Sequence, residues 1–486
     1  MLKLRASLIC LLLTPVLFAK GAGTGAPQAA GDQPSSQKGS ANDDLRQQVI
    51  RLQELVLKLQ ARVGELEKRS GTAQQPGAIA PAQVAPAPAA AQAAQVSPTP
   101  VANPTPPVIP EQHEFLRSTT IGFLLDGYYG YNFNNPIGRV NLLRAYDVSS
   151  NSFILSQADM VVDNEPDPEN GKRWGLRLDF QFGQATETLQ GNPANEPRPG
   201  IYQNIFQAYG TYVFPIGRGL TVAFGKFASS LGMEGNYAKD QINYSRSFWF
   251  DFLPFYHEGV TVNYPVNDVL GVHYWMVNGT QQTEPFNSFK DQSAGLTITP
   301  NKKVNWTINY YLGQEHPNVV FYPYGGAPPN SPTEQGIAFQ PIPDAPKGKL
   351  HIFDTYLTWQ ATPKLLVAGE ADYVIERLNE NSYPQHTDGG AGYFQYQFTS
   401  KFALSGRAEY VSDRGGLFTG KTQAVKEATL TASYQVADGL LARAEWRSDF
   451  SNQNYFLSDV LGILKKQQNT PTVGVVWWFG GKKGAW

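Results

Sequence analysis

The chain has 486 residues, a net charge of -2, 12% aromatic and 16% charged residues, 46 glycines and one cysteine. That length allows several domains, yet after the first residues no stretch reaches the roughly 18 consecutive apolar residues of a transmembrane helix, which excludes a helical membrane protein. The near-neutral balance offers no basic patch and excludes nucleic acid as a partner.

Met1 to Ala19 carries Lys3 and Arg5, then the apolar run Leu8 to Leu13 continuing to Phe18 before small residues. This is the layout of a secretory signal peptide, assigned to residues 1–22. Cys10 lies inside it, so the mature chain is expected to hold no disulfide, thiolate metal site or thiol nucleophile.

Leu45, Val49, Leu52, Val56, Leu59, Val63 and Leu66 alternate spacings of four and three, a heptad seam with Val at a and Leu at d. Asp43 and Asp44 at its start and Lys68 and Arg69 at its end match the helix dipole. The spacing predicts an α-helical coiled coil over 43–69, a self-associating stem. β-branched a positions with Leu at d point to two strands, and the oligomer number stays open at this point. Residues 70–112 are rich in Ala, Gln and Pro, including Pro98, Pro100, Pro104, Pro106, Pro107 and Pro110, and read as a semi-extended linker.

From 113 to 486 the period becomes two. Leu440, Ala442, Ala444, Trp446 and Phe450 share one parity while Arg443, Glu445, Arg447 and Asp449 take the other. Trp174, Leu176, Leu178, Phe180 and Phe182 stand in the same way against Arg173, Arg177, Asp179 and Gln181. A soluble β-sandwich alternates too, but here connections alternate in length. Short links fall at Pro215 to Gly219, Pro265 to Asp268, Pro300 to Lys303, Ala361 to Lys364, Thr399 to Lys401 and Val436 to Gly439, with long polar links such as Gly313 to Gly348 between them. That sidedness predicts an all-β fold: a transmembrane antiparallel β-barrel of about sixteen strands in the outer membrane of a Gram-negative bacterium, with the stem in the periplasm. A mean hydropathy of -0.34 does not argue against this, since only alternate residues face lipid. Tyr128, Tyr129, Tyr131, Trp359, Trp477, Trp478 and Phe479 are expected in aromatic girdles. Val473, Val475, Trp477 and Phe479 resemble the terminal strand read by the barrel-assembly machinery, although the chain continues to Trp486.

Asn141 to Asp147 (NLLRAYD), Asn151 to Ala158 (NSFILSQA), Gly175 to Glu187 (GLRLDFQFGQATE), Gly219 to Gly232 (GLTVAFGKFASSLG) and Asn243 to Tyr256 (NYSRSFWFDFLPFY) together resemble the β-barrel porin family of the OmpL-like group. The resemblance covers nearly all of 112–486 and implies an outer-membrane porin, a water-filled channel for passive diffusion of small hydrophilic solutes or ions. Lipid, other copies of the chain, with a trimer favoured because porins are usually trimers, and the assembly machinery are the partners this implies.

In such a barrel the informative residues are inward charges and whatever narrows the bore. Inward parity predicts pore-lining roles for Asp126, Arg177, Asp179, Glu370, Asp372, Arg407, Glu409, Arg443, Glu445 and Arg447, many of them joined in a cross-strand ion-pair mesh. Asp159, Asp354, Glu376 and Asp449 share that parity, and the acidic excess suggests a mild cation preference. Ala228 to Phe255, after about the fifth strand, is the candidate constriction loop, with Lys239, Asp240 and Arg246 toward the pore and Phe248, Trp249, Phe250, Phe252 and Phe255 against the wall. The alternative is that this aromatic run begins the next strand. Six scattered histidines, no GxSxG and no paired metal-ligand motif argue against a barrel enzyme, and neither cofactor nor metal is expected. An envelope-tethering protein that binds peptidoglycan through its coiled coil is the alternative function.

Overall fold

In a computed structural model, the structure describes residues 118–190, 196, 199–322 and 338–480. The signal peptide, the stem at 43–69 and the linker at 70–112 lie outside the described residues.

Sixteen antiparallel strands close into one barrel. They are β1 (Thr120–Gly130), β2 (Ser152–Asn164), β3 (Trp174–Phe182), β4 (Ile205–Phe214), β5 (Leu220–Ala228), β6 (Tyr256–Pro265), β7 (Leu270–Val277) and β8 (Asp291–Asn301). Then follow β9 (Val304–Gly313), β10 (Leu350–Thr362), β11 (Leu365–Glu376), β12 (Gln385–Gln397), β13 (Phe402–Arg414), β14 (Gln423–Ala437), β15 (Leu440–Ser451) and β16 (Gln467–Gly480). Each strand pairs with its sequence neighbours, and the ring closes where β1 meets β16, with Phe123 opposite Phe479 and Gly130 opposite Thr472. Closure leaves no unpaired edge, which a spanning sheet requires because lipid supplies no hydrogen-bond partners.

Connections alternate strictly. One rim carries 165–173, 215–219, 266–269, 302–303, 363–364, 398–401 and 438–439, and the other carries the longer 131–151, 183–204, 229–255, 278–290, 314–349 and 452–466 together with the shorter 377–384 and 415–422. The link at 165–173 escaped the sequence reading because it is longer than the other turns and contains a 3-10 turn at Pro168–Asn170.

The two faces differ as the period of two requires. Outward positions expose Phe153 (88%), Trp446, Val473, Val475, Trp477 and Phe479. An apolar belt of that extent is stable only against lipid. Two expected girdle residues belong instead to the inner face. Tyr128 is buried, lies tilted against Tyr244 with ring centroids 6.0 Å apart and donates from its hydroxyl to Gln184 Oε1 at 2.9 Å, while Trp478 packs on the same inner cluster. Their neighbours Tyr129 and Trp477 carry the outward parity; clustering of aromatics hid the alternation.

Candidate functional site: a loop held across the bore

The long connection 229–255 turns inward instead of standing outside the rim, and inward-facing wall residues hold it mostly by its backbone. At its start Gly232 N donates to Asp354 Oδ1 at 3.1 Å and Met233 N to Glu370 Oε1 at 3.0 Å. Gly232 has φ of 85°, a left-handed conformation natural to glycine, and a Cβ there would press on the Leu253 side chain and the Glu370 carboxylate. Further on, Ala238 N donates to Gln157 Oε1 at 3.0 Å, and the Tyr237 hydroxyl reaches both Asp179 and Arg177. The Tyr244 hydroxyl donates to Asp126 at 3.0 Å, and its ring lies over Gly474 of β16, where any Cβ would collide with it.

Charged side chains of β13 and β15 grip the returning half. Arg443 donates to the carbonyls of Asn243 (2.9 Å), Ala238 (3.2 Å) and Gln241. Glu445 accepts from Tyr244 N at 2.6 Å and Ser245 N at 3.0 Å. Arg407 donates to Ser245 O at 2.7 Å and Arg246 O at 3.2 Å, and Arg447 donates to Arg246 O. Glu409 accepts from Phe248 N at 2.8 Å and Trp249 N at 3.4 Å, an anion at the start of the helical turn Phe248–Phe252, which Ser247 caps by accepting from Phe250 N. These bonds join charged groups to peptide dipoles in a buried setting, where each is worth about 1.5–3 kcal/mol.

The arginines also pair with acids on the wall: Arg407 Nε with Glu427 at 2.7 Å, and Arg447 Nε with Asp449 at 2.8 Å and Glu427 at 3.2 Å. The first long connection, 131–151, joins this ladder through Arg144, which bonds Asp449 Oδ2 at 2.5 Å and Asp147 Oδ2 at 2.6 Å. So the cross-strand mesh exists, and it has a second partner that the sequence reading did not foresee.

All ten residues expected to line the pore face inward, but all ten are buried. Nine of them bond loop 229–255 directly, and Asp372 does not. Arg246 is not presented to the open lumen: it is 1% exposed, and its guanidinium staples the loop to itself through the carbonyls of Gly235 (3.1 Å), Tyr244 (2.9 Å) and Asn236 (2.8 Å). Lys239 and Asp240 pair at 2.8 Å and border a cavity of about 380 Å³ that also touches Lys401 and Arg443. Lys401 ends a short turn, so this cavity opens toward the rim of short connections. Phe248, Trp249 and Phe250 are buried inside the barrel, Phe252 stacks on Phe418 at 4.7 Å, and β6 begins only at Tyr256.

The contacts fix where the loop runs. Tyr237 bonds β3 and Met233 bonds β11, which are eight places apart (11 − 3) in a ring of sixteen. Opposite walls are therefore joined through four residues, a reach of at most ~14 Å plus side chains. The loop crosses the bore.

Residues 118–479 match the family model described as "Putative beta-barrel porin-2, OmpL-like". The chain belongs to this family. It is an outer-membrane β-barrel, and its family supports a channel rather than an enzyme. No curated protein matches it. Among solved structures it is similar to an anion-selective porin from Comamonas acidovorans, at 7% identity and TM-score 0.49, covering 74% of this chain and 99% of that one. It is similar also to Pseudomonas putida OprB, at 11% identity and TM-score 0.46, covering 76% and 96%. A third is OmpT of Vibrio cholerae in a trimer form, at 10% and 0.45, covering 74% and 99%.

Among the described residues one Ser–His contact occurs, Ser229 Oγ with His257 Nε2 at 3.1 Å. The other ring nitrogen meets the Gly279 carbonyl at 3.1 Å, so the pair lacks the carboxylate of a Ser–His–Asp triad. The sequence reading missed Gln157, Glu234, Tyr237, Tyr244 and Glu427. Tyr244 lies in the NYSRSFWF stretch already singled out, but no local pattern says that its partner is Asp126, 118 residues away.

Proposed function

We propose that this barrel is a diffusion channel for small hydrophilic solutes and ions, with a mild cation preference, whose bore is set by loop 229–255. The observation that carries it is the bonding of one short loop segment to opposite walls, through Tyr237 to β3 and through Met233 to β11. A loop so placed divides the lumen, and what passes must move beside it. The Val and Leu seam at 43–69 supports a homo-oligomer, and three copies are favoured by the family resemblance, since porins are usually trimers.

The test is single-channel recording in planar bilayers of the wild type and a deletion of Met233 to Asp240. Stepwise conductance is expected from the wild type, and larger steps from the deletion in barrels that still show heat-modifiable mobility on gels. A wild type that never conducts would sink the channel. Equal conductance in an assembled deletion would place the segment outside the path.

A further inference from the structure

Three carboxylates on the inner wall stand apart from the arginine ladder. Asp354 of β10 lies opposite Asp372 of β11, and Glu370 shares the inner face two residues earlier. One oxygen of each lies within 4.8 Å of the others, and all three are buried. Their polar partners are few. Asn309 Nδ2 donates to Asp354 Oδ2 at 2.6 Å, the Tyr393 hydroxyl donates to Glu370 Oε2 at 3.2 Å, and the loop supplies Gly232 N and Met233 N.

Asp372 decides the matter. It is 4% exposed, and neither of its oxygens accepts a hydrogen bond. Among the described residues, no Lys, Arg or His lies within ion-pairing distance of any of the three. The nearby Ser230 carries a buried Oγ that likewise has no partner, while its carbonyl accepts from Asn309 Nδ2 and the Tyr356 hydroxyl. Asp159, whose oxygens are also unbonded, differs in lying within the field of Arg246.

Burying a carboxylate without a partner costs several kcal/mol, and three together repel one another as well. A hard cation removes both penalties. Calcium takes oxygen ligands at about 2.3–2.6 Å in irregular geometry, so ligand oxygens up to ~4.8 Å apart fit around one ion, whereas magnesium demands a tighter octahedron. Oxygens of Asp354 and Glu370 that already accept one hydrogen bond keep a second lone pair for a metal. We propose that Asp354, Glu370 and Asp372 form a calcium-type divalent-cation site that fastens the start of loop 229–255 to the wall. Asp354 and Glu370 are the two acids that accept from Gly232 and Met233, so an ion that fixes these carboxylates also fixes the first turn of the loop. The inference concerns the wall itself and holds whatever solute the barrel passes.

The experiment is a terbium titration of the full chain in detergent after chelator treatment, excited through tyrosine, since Tyr393 bonds Glu370 and lies close enough to sensitise emission. Wild type is expected to give saturable luminescence that calcium displaces. Asp372→Asn, which removes no hydrogen bond to the loop, should weaken terbium binding by about tenfold or more. Asp159→Asn, an inner-wall acid outside the trio that makes no bond to the loop, should leave it unchanged. Gel mobility before and after heating verifies the fold, and if Asp372→Asn does not assemble, Asp354→Asn carries the same comparison. Absence of saturable binding in wild type overturns the site and leaves an acid pair sharing a proton. Undiminished binding in the assembled trio variant, or equal loss in Asp159→Asn, overturns it as well.

Discussion

Replacing Arg407 with Met tests whether the wall charges hold the loop. The Arg407 guanidinium is fully enclosed and joins Glu234 of the loop at 2.7 Å, Ser245 O at 2.7 Å and Glu427 of β14 at 2.7 Å. Methionine keeps most of the volume and removes every one of these bonds. Breaking a buried ion pair by removing one member costs about 3–5 kcal/mol. The lower end applies here, because Glu427 retains Arg447 at 3.2 Å and Glu234 retains Ser247 N at 2.7 Å. About 3 kcal/mol shifts the ratio of released to docked loop by roughly a hundredfold.

The strand ladder is untouched, since Arg407 pairs with Tyr393 and Thr429 through backbone alone. The variant should therefore assemble, keep its heat-modifiable mobility and show frequent transitions to a larger conductance step. Amide exchange over residues 233–247 should accelerate while that of β13 does not. Arg407→Lys should fall between, because an ammonium supplies charge without the fork that reaches Glu234, Ser245 and Glu427 at once. An assembled Arg407→Met barrel with wild-type conductance and wild-type exchange in the loop would refute the wall-clamp reasoning.

Reversal potentials in asymmetric salt should show a modest cation preference that weakens as ionic strength rises, through screening of lumen acids; clear anion selectivity would contradict it. Burial pushes the carboxyl of Asp251, in the helical turn of the loop, up to about 6 against the opposing field of Arg447. A raised acid favours the docked state when protonated, so its contribution is full below about pH 4 and lost as pH rises through about 6. Exchange of amides 248–252, corrected for intrinsic rates, should thus slow on acidification from pH 7 to 4 in wild type but not in Asp251→Asn. Replacing Leu52, Val56 and Leu59 with Asp places charges in the expected stem seam, where burying them unpaired costs several kcal/mol. Oligomers on unheated gels should become heat-labile while the barrels still conduct, and unaltered oligomers that still crosslink through their stems would remove the seam as an assembly device.

Strands and their faces were legible because both follow from a period of two: Arg407 and Glu409, and Arg443, Glu445 and Arg447, share a face by arithmetic alone. The destination of the loops was not. Nothing near Arg144 in sequence indicates that it reaches Asp449, and nothing near Met233 indicates that it bonds Glu370. Asp354 and Asp372 were both placed inside by parity, yet their meeting depends on the register of β10 against β11, which a turn at 363–364 sets and composition does not. Arg246 was misplaced for a related reason. A charged residue in a loop reads as solvated, whereas here three carbonyls of its own loop take its donors.

Counting inward charges by parity overstates the charge a passing ion meets. Glu445 and Glu409 are neutralised in part by loop N–H groups, and Arg443 by three loop carbonyls. Arg407, Arg447, Glu427 and Asp449 largely cancel one another. What remains without such compensation is acidic: Asp372, whose oxygens accept nothing, beside Asp354 and Glu370, which accept one loop N–H each but have no cationic partner among the described residues. A cation preference thus rests on β10 and β11 rather than on the whole wall. If calcium occupies the trio, its charge cancels most of that excess, so added calcium should reduce cation selectivity at constant ionic strength in wild type, and Asp372→Asn should be insensitive to it.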